Sequence, residues 1–217
     1  MFDSPLISLA LFVFLVLLCW YLLGTQFNIR RARRAIKWLE QGLPVIGEKA
    51  SLNWSGVSHV QLIVNKAKDP FRSAELVIDL QPRELPLYWF WKQRKNQKDT
   101  IIFRAQLRAA PRFDLVSHSP HVPADEHLKR SGSGQWTAVQ GGLANAMTAD
   151  IRGSISPYAV NRLIVQTTLD GVTLTRLVVH RSAPNIEVHY LLPLFEQVSA
   201  QRVFTSLHQL GEEIAQV

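Results

Sequence analysis

The chain has 217 residues, 47% apolar and 19% charged, with a formal net charge of +7 and one cysteine, Cys19. A lone cysteine excludes an intrachain disulfide framework and any thiolate metal site of the paired CxxC kind. The charge also argues against nucleic acid: five basic and one acidic residue fall at or before Lys37, leaving 19 basic against 16 acidic beyond it, whereas a nucleic-acid-binding domain wears its positive charge as a dense patch on the folded part.

Residues 6–23 read LISLALFVFLVLLCWYLL without a charge. As a helix they span roughly 27 Å, close to the thickness of a hydrocarbon core. A cleaved secretory signal wants a positive leader, a shorter apolar core and small residues at the cut. Here the leader carries only Asp3, and Trp20, Tyr21, Leu22 and Leu23 are bulky. The expectation is an uncleaved, single-pass signal-anchor over residues 1–27. A lipidated cysteine is disfavoured because Leu18, not a small residue, precedes Cys19.

Trp20 and Tyr21 close the apolar run, and Arg30, Arg31, Arg33, Arg34 and Lys37 follow it. That order is the positive-inside pattern, with aromatic rings at the headgroup level and cations on the cytoplasmic side. It predicts a cell-membrane protein with its N-terminus outside and its C-terminal domain cytoplasmic. The five cations set the orientation and meet anionic headgroups at about 1 kcal/mol each. Ile29, Ala32, Ile36 and Leu39 recur at helical spacing, which predicts a basic juxtamembrane amphipathic helix over residues 28–43, stopped by Gly42 and Pro44.

From residue 45 the pattern turns to period two. VSHVQLIV at 57–64 and SAELVIDL at 73–80 read as strands joined by a turn at Asp69-Pro70, and IIFRAQLR at 101–108 and RFDLVS at 112–117 as two more. Residues 118–135, rich in Pro, Ser and Gly, read as an exposed loop, and 136–151 fit neither helix nor strand cleanly. In NRLIVQTTLDGVTLTRLVVHR, two β-branched runs flank Asp170-Gly171, the signature of a tight hairpin. A turn at Ala183-Pro184-Asn185 leads to a strand at 186–193, completing a three-stranded meander. The last segment, from about Ser199, carries Val203, Leu207, Leu210 and Ile214 on one helical stripe, with the serine placed to cap it. The fold class expected is α+β: an N-terminal single transmembrane helix, then a mainly antiparallel β-sheet domain (45–217) with a C-terminal amphipathic helix.

Chemistry-bearing residues are sparse. His118, His121, Asp125, Glu126 and His127 fall within ten residues, but among prolines and without cysteine they read as a solvated loop, so no metal and no cofactor is expected. His180 and His189 read as cross-strand polar pairs and not as catalytic bases. There is no GxSxG, HExxH, GxGxxG or Walker loop, and no catalytic residue is assigned.

The stretch LYWFWKQRKNQK at 87–98 is the most distinctive. Its first reading is that two or more rings are core and the lysines form a polar turn. Its second is that Tyr88, Trp89, Trp91, Lys92, Arg94 and Lys95 form a membrane or partner contact, rings at the headgroups and cations on anionic lipid. Base stacking along a basic groove is a third. The function expected is a non-catalytic scaffold or accessory subunit that docks a protein partner at the membrane surface. The alternatives are a tethered lipid, peptide or small-ligand sensor, and a membrane-associated enzyme without a recognisable motif.

Overall fold

The computed structural model describes residues 5–120 and 135–216. Its first helix, α1 (Pro5–Ile46), runs unbroken for 42 residues. Residues 5–23 of α1 are exposed, whereas Asn28, Ala32, Ala35, Ile36, Trp38, Leu39, Gly42 and Ile46 form a buried stripe. One helix in the described residues is therefore long and apolar enough to cross a membrane, and its other half is part of the domain core.

The stop expected at Gly42 and Pro44 is corrected, since α1 continues to Ile46. Gly42 is the point of closest approach to a second helix: a Cβ there would lie 2.4 Å from the Phe204 ring and 2.9 Å from the Ala200 carbonyl oxygen. The glycine thus permits helix packing and is not a terminator. The true end is held by the β-hairpin that follows, with the Lys68 N–H donating to the Ile46 carbonyl at 2.8 Å.

The strands are β1 (Gly47–Trp54), β2 (His59–Ala67), β3 (Phe71–Asp79), β4 (Thr100–Leu107), β5 (Phe113–His118), β6 (Thr137–Ala138), β7 (Thr148–Gly153), β8 (Leu174–Val179) and β9 (Ile186–Leu191). They form one antiparallel sheet in the order β1-β2-β3-β4-β9-β8-β5-β7-β6. The other α-helices among the described residues are α2 (Pro86–Arg94), α3 (Pro157–Thr167) and α4 (Ala200–Gln216). The α+β architecture agrees with the sequence reading. In α4 the stripe Val203, Leu207, Leu210 and Ile214 is buried as predicted.

The hairpin strand expected before Asp170-Gly171 is a second correction, because Pro157–Thr167 is helical. β-branched runs fit a buried helix as well as a strand, and here the start signals decide. Ser156 caps the helix by accepting from the Ala159 N–H, Pro157 occupies the first turn, and Val160, Leu163, Ile164 and Thr167 fall on one buried face. Asp170-Gly171 still forms a tight turn, closed by the Val172 N–H on the Leu169 carbonyl, but it joins helix to strand.

Alternation sorts the sheet into two faces. Val60, Leu62, Leu76, Phe103, Val188 and Leu115 point to the core, where α1, α3 and α4 cover them. The alternate positions face outward and carry cross-strand polar rows, among them Glu75, Arg104 and Glu187 in register on β3, β4 and β9. Burial works against the charge of Glu187, yet His189 at 2.5 Å and Arg104 at 2.8 Å outweigh it and hold the carboxyl down at about 2. Burial likewise opposes Asp114, but the Arg181 N–H, Arg152 and His180 keep it below its ordinary value.

A carboxyl depressed on folding stabilises the native state fully above its unfolded value and loses that contribution as pH falls through the folded one. Stability is thus expected to drop between pH 4.5 and about 2 through Glu187. Glu187→Gln should cost about 2 kcal/mol above this window and flatten the acid limb, with Asp114 supplying the remainder. Denaturant melts at stepped pH check this, and an acid limb identical to that of the wild type would refute it.

Candidate functional site

Trp20, Gly24, Asn28 and Arg31 recur on one side of α1, and the segment joining β3 to β4 is pressed against that side. At Gly24 a Cβ would lie 2.5 Å from the Arg83 carbonyl oxygen and 2.7 Å from the Glu84 Cα. Only glycine allows the two backbones to meet here. Trp20 Nε1 donates to that same Arg83 carbonyl at 2.9 Å.

Beyond this contact lies a connected polar network. Asn28, fully buried, donates through Nδ2 to the Gln81 carbonyl (2.9 Å), Ser58 Oγ (3.1 Å) and Glu84 Oε2 (2.9 Å). Its Oδ1 accepts from Arg83 Nη1 at 3.1 Å. Arg83 also donates twice to Asp99, at 3.1 and 2.9 Å, and the Gln81 N–H donates to Asp99 at 2.8 Å. Arg31 completes the set with an ion pair to Asp99 at 2.6 Å. Two guanidinium groups thus compensate one buried carboxylate, and the planar fork of Arg83 fixes the geometry.

Next to this network, α2 is nine residues long and none of them is buried. The expectation that its rings are core is corrected. Four consecutive rings on a helix point in every direction, 100° apart, so no single stripe exists to bury. Instead Trp89 and Phe90 lie 5.9 and 6.2 Å from Trp20 of α1, and Trp89 Nε1 donates to Gln81 Oε1. Tyr88 stacks on Trp91, with Lys92 over the Tyr88 ring and Lys95 over the Trp91 ring at 3.7 Å. Leu85, Leu87, Tyr88, Phe90 and Trp91 are exposed, Leu87 at 86%.

The other predicted residues fall as follows. Arg30, Arg33, Arg34 and Lys37 are exposed on α1, while Arg31 turns in to Asp99. Arg94 is exposed at the end of α2. His118 is the last residue of β5, while His121, Asp125, Glu126 and His127, with residues 121–134 of the loop expected over 118–135, lie outside the described residues. Among the described residues no group of three or more His, Cys, Asp or Glu is placed to hold a metal ion. His180 pairs with Asp114 across the sheet at 3.4 Å, and His189 with Glu187 on its own strand.

Sequence reasoning missed Asn28, Arg83 and Asp99. One signal was available: Asn28 is a polar residue in register with Ala32, Ala35 and Leu39 on the face of a helix that must be buried, and a buried amide needs partners. A cleft of about 500 Å³ opens beside the network, lined by Arg31, Gln81, Arg83, Lys98, Asp99 and Leu192 among others. No protein-family model matches the chain, and the search of curated proteins gave no match.

Proposed function

We propose that the protein is a single-pass membrane protein whose β-sheet domain stands on the cytoplasmic surface as a non-catalytic docking subunit, presenting the sheet face opposite its helices to a protein partner. The observation that carries this reading is the continuity of α1. One helix is both the apolar segment and a core element, and Trp20, Gly24, Asn28 and Arg31 fasten it to residues 81–99. A domain held in this way has a fixed attitude to the bilayer and does not swing on a linker.

Two further features support it. Trp89 and Phe90 of α2 gather at the level of Trp20, near the end of the apolar run, as an interfacial belt requires. Arg30, Arg33, Arg34 and Lys37 are exposed just beyond, in the order that retains a domain in the cytoplasm. The non-catalytic reading rests on how the polar groups are used: Asn28, Arg83 and Asp99 hold α1, and His180 and His189 are each engaged by a carboxylate.

In intact cells the C-terminal domain should resist external protease, and mild detergent should extract it as a complex larger than the monomer. Lipids brominated near the headgroup should quench the fluorescence of Trp89 and Trp91. Replacing Tyr88 and Trp91 by alanine should leave the melting temperature nearly unchanged, because exposed substitutions typically stay within about 0.5 kcal/mol. Digestion of the domain from outside, or extraction as a lone monomer, would overturn the proposal.

A further inference from the structure

The cleft beside Asp99 holds more positive charge than the network consumes. Its charged lining is Arg31, Arg83 and Lys98 against Asp99 alone. Asp99 is buried and already accepts from Arg83 and from the Gln81 N–H, so it has little capacity left to neutralise a third cation. Arg31 reaches Asp99 through Nε and keeps 38% of its side chain exposed. Its terminal amino groups and the Lys98 ammonium donate no hydrogen bond among the described residues. The rest of the polar lining is neutral, with Gln93, Asn96 and Gln97 adding amide donors and Thr173 a hydroxyl.

A concave site whose lining carries a net excess of two positive charges, several neutral donors and no free carboxylate recognises an anion with multiple acceptor oxygens. We infer that this cleft binds a phosphate group, with Arg31 and Lys98 as its principal ligands. Leu191, Leu192 and Leu194 also line the cleft and suit the carbon portion of a phosphate ester. The site lies against α1 at Arg31, eight residues past the end of the apolar run, or about 12 Å along the helix. An arginine or lysine side chain spans much of the distance from there to a headgroup phosphate. The phosphate chemistry stands on the cleft alone. Its lipid source rests on the membrane reading of α1.

The test uses the full chain in two arms. In the first, it is reconstituted into nanodiscs of phosphatidylcholine with and without phosphatidylglycerol, and lipid-dependent thermal stabilisation is measured. In the second, the detergent-solubilised chain is titrated with inorganic phosphate. Lys98→Ala and Arg31→Gln leave Arg83 on Asp99, so the fold persists, and each should weaken anion binding on the order of tenfold. Lys98→Arg should retain it, and Lys49→Ala, exposed on β1 and outside the cleft, should not change it. Stabilisation by phosphatidylglycerol that the two variants lose assigns a lipid headgroup, and a phosphate response that they lose assigns a soluble phosphate ester. Wild type, Lys98→Ala and Arg31→Gln behaving alike in both arms overturns the site. If the chain fails to insert into nanodiscs, the membrane reading falls, and the phosphate arm alone decides the cleft.

Discussion

A fragment beginning at residue 45 is expected to be unfolded, whereas one beginning at residue 26 should fold. Cutting at 45 removes Ile36, Trp38 and Leu39, all buried against the sheet and α4. Burial of such side chains contributes about 2 kcal/mol each, more for tryptophan. The cut also opens a cavity around the fully buried Phe204 and strands the Val198 carbonyl, which accepts from Trp38 Nε1 at 2.6 Å. The sum, at about 6–8 kcal/mol, is comparable to the whole stability of an ordinary domain. Starting at residue 26 keeps this stripe together with Asn28 and Arg31 and discards the exposed apolar half with the Trp20 and Gly24 contacts to Arg83. Circular dichroism melts of the two fragments decide the matter, and a cooperative transition at equal temperature in both would show that α1 is dispensable to the core.

Asp99→Ala should be the most damaging single substitution at the junction, at about 3 kcal/mol. The carboxylate side chain is 3% exposed and faces two guanidinium groups. Its removal leaves two positive charges side by side beside a buried amide, with the Gln81 N–H deprived of its acceptor. The arginine side chains retain 38% and 21% exposure, which keeps the cost at the lower end for a broken buried pair. Removing the other side of the pair should matter less: in Arg31→Gln the bidentate Arg83 contact survives, and about 1 kcal/mol is expected. Beyond stability, Asp99→Ala should free residues 81–99 from α1, seen as faster proteolysis near α2 and faster amide exchange over residues 81–85. A variant within about 0.5 kcal/mol of the wild type, with unchanged exchange, would mean that the network does not fasten the domain.

Some features were legible because they depend on one residue type repeated locally. Eighteen residues without a charge specify a helix of membrane-crossing length whatever packs beside it. The alternation in β2, β3 and β4, and the stripe of α4, record which face is wet and which is dry. β1 was invisible for the same reason: it is an edge strand, mostly exposed, and leaves no alternation to read.

Only the tertiary structure decided the rest. Residues 162–167 have side chains that suit a strand, and they are helical because Ser156 and Pro157 start a turn whose buried face meets α4. Gly42 looks like a stop until Phe204, far along the chain, is found against it. The junction gathers residues 20–31, 58, 81–84 and 99 by folding the β3–β4 connection back onto α1. Periodicity reports how each segment divides between water and protein, but it carries no information on which distant segment supplies the covering surface. Hydrogen-bond partners and close backbone approaches are properties of that pairing, and so they become visible only when the chain is folded.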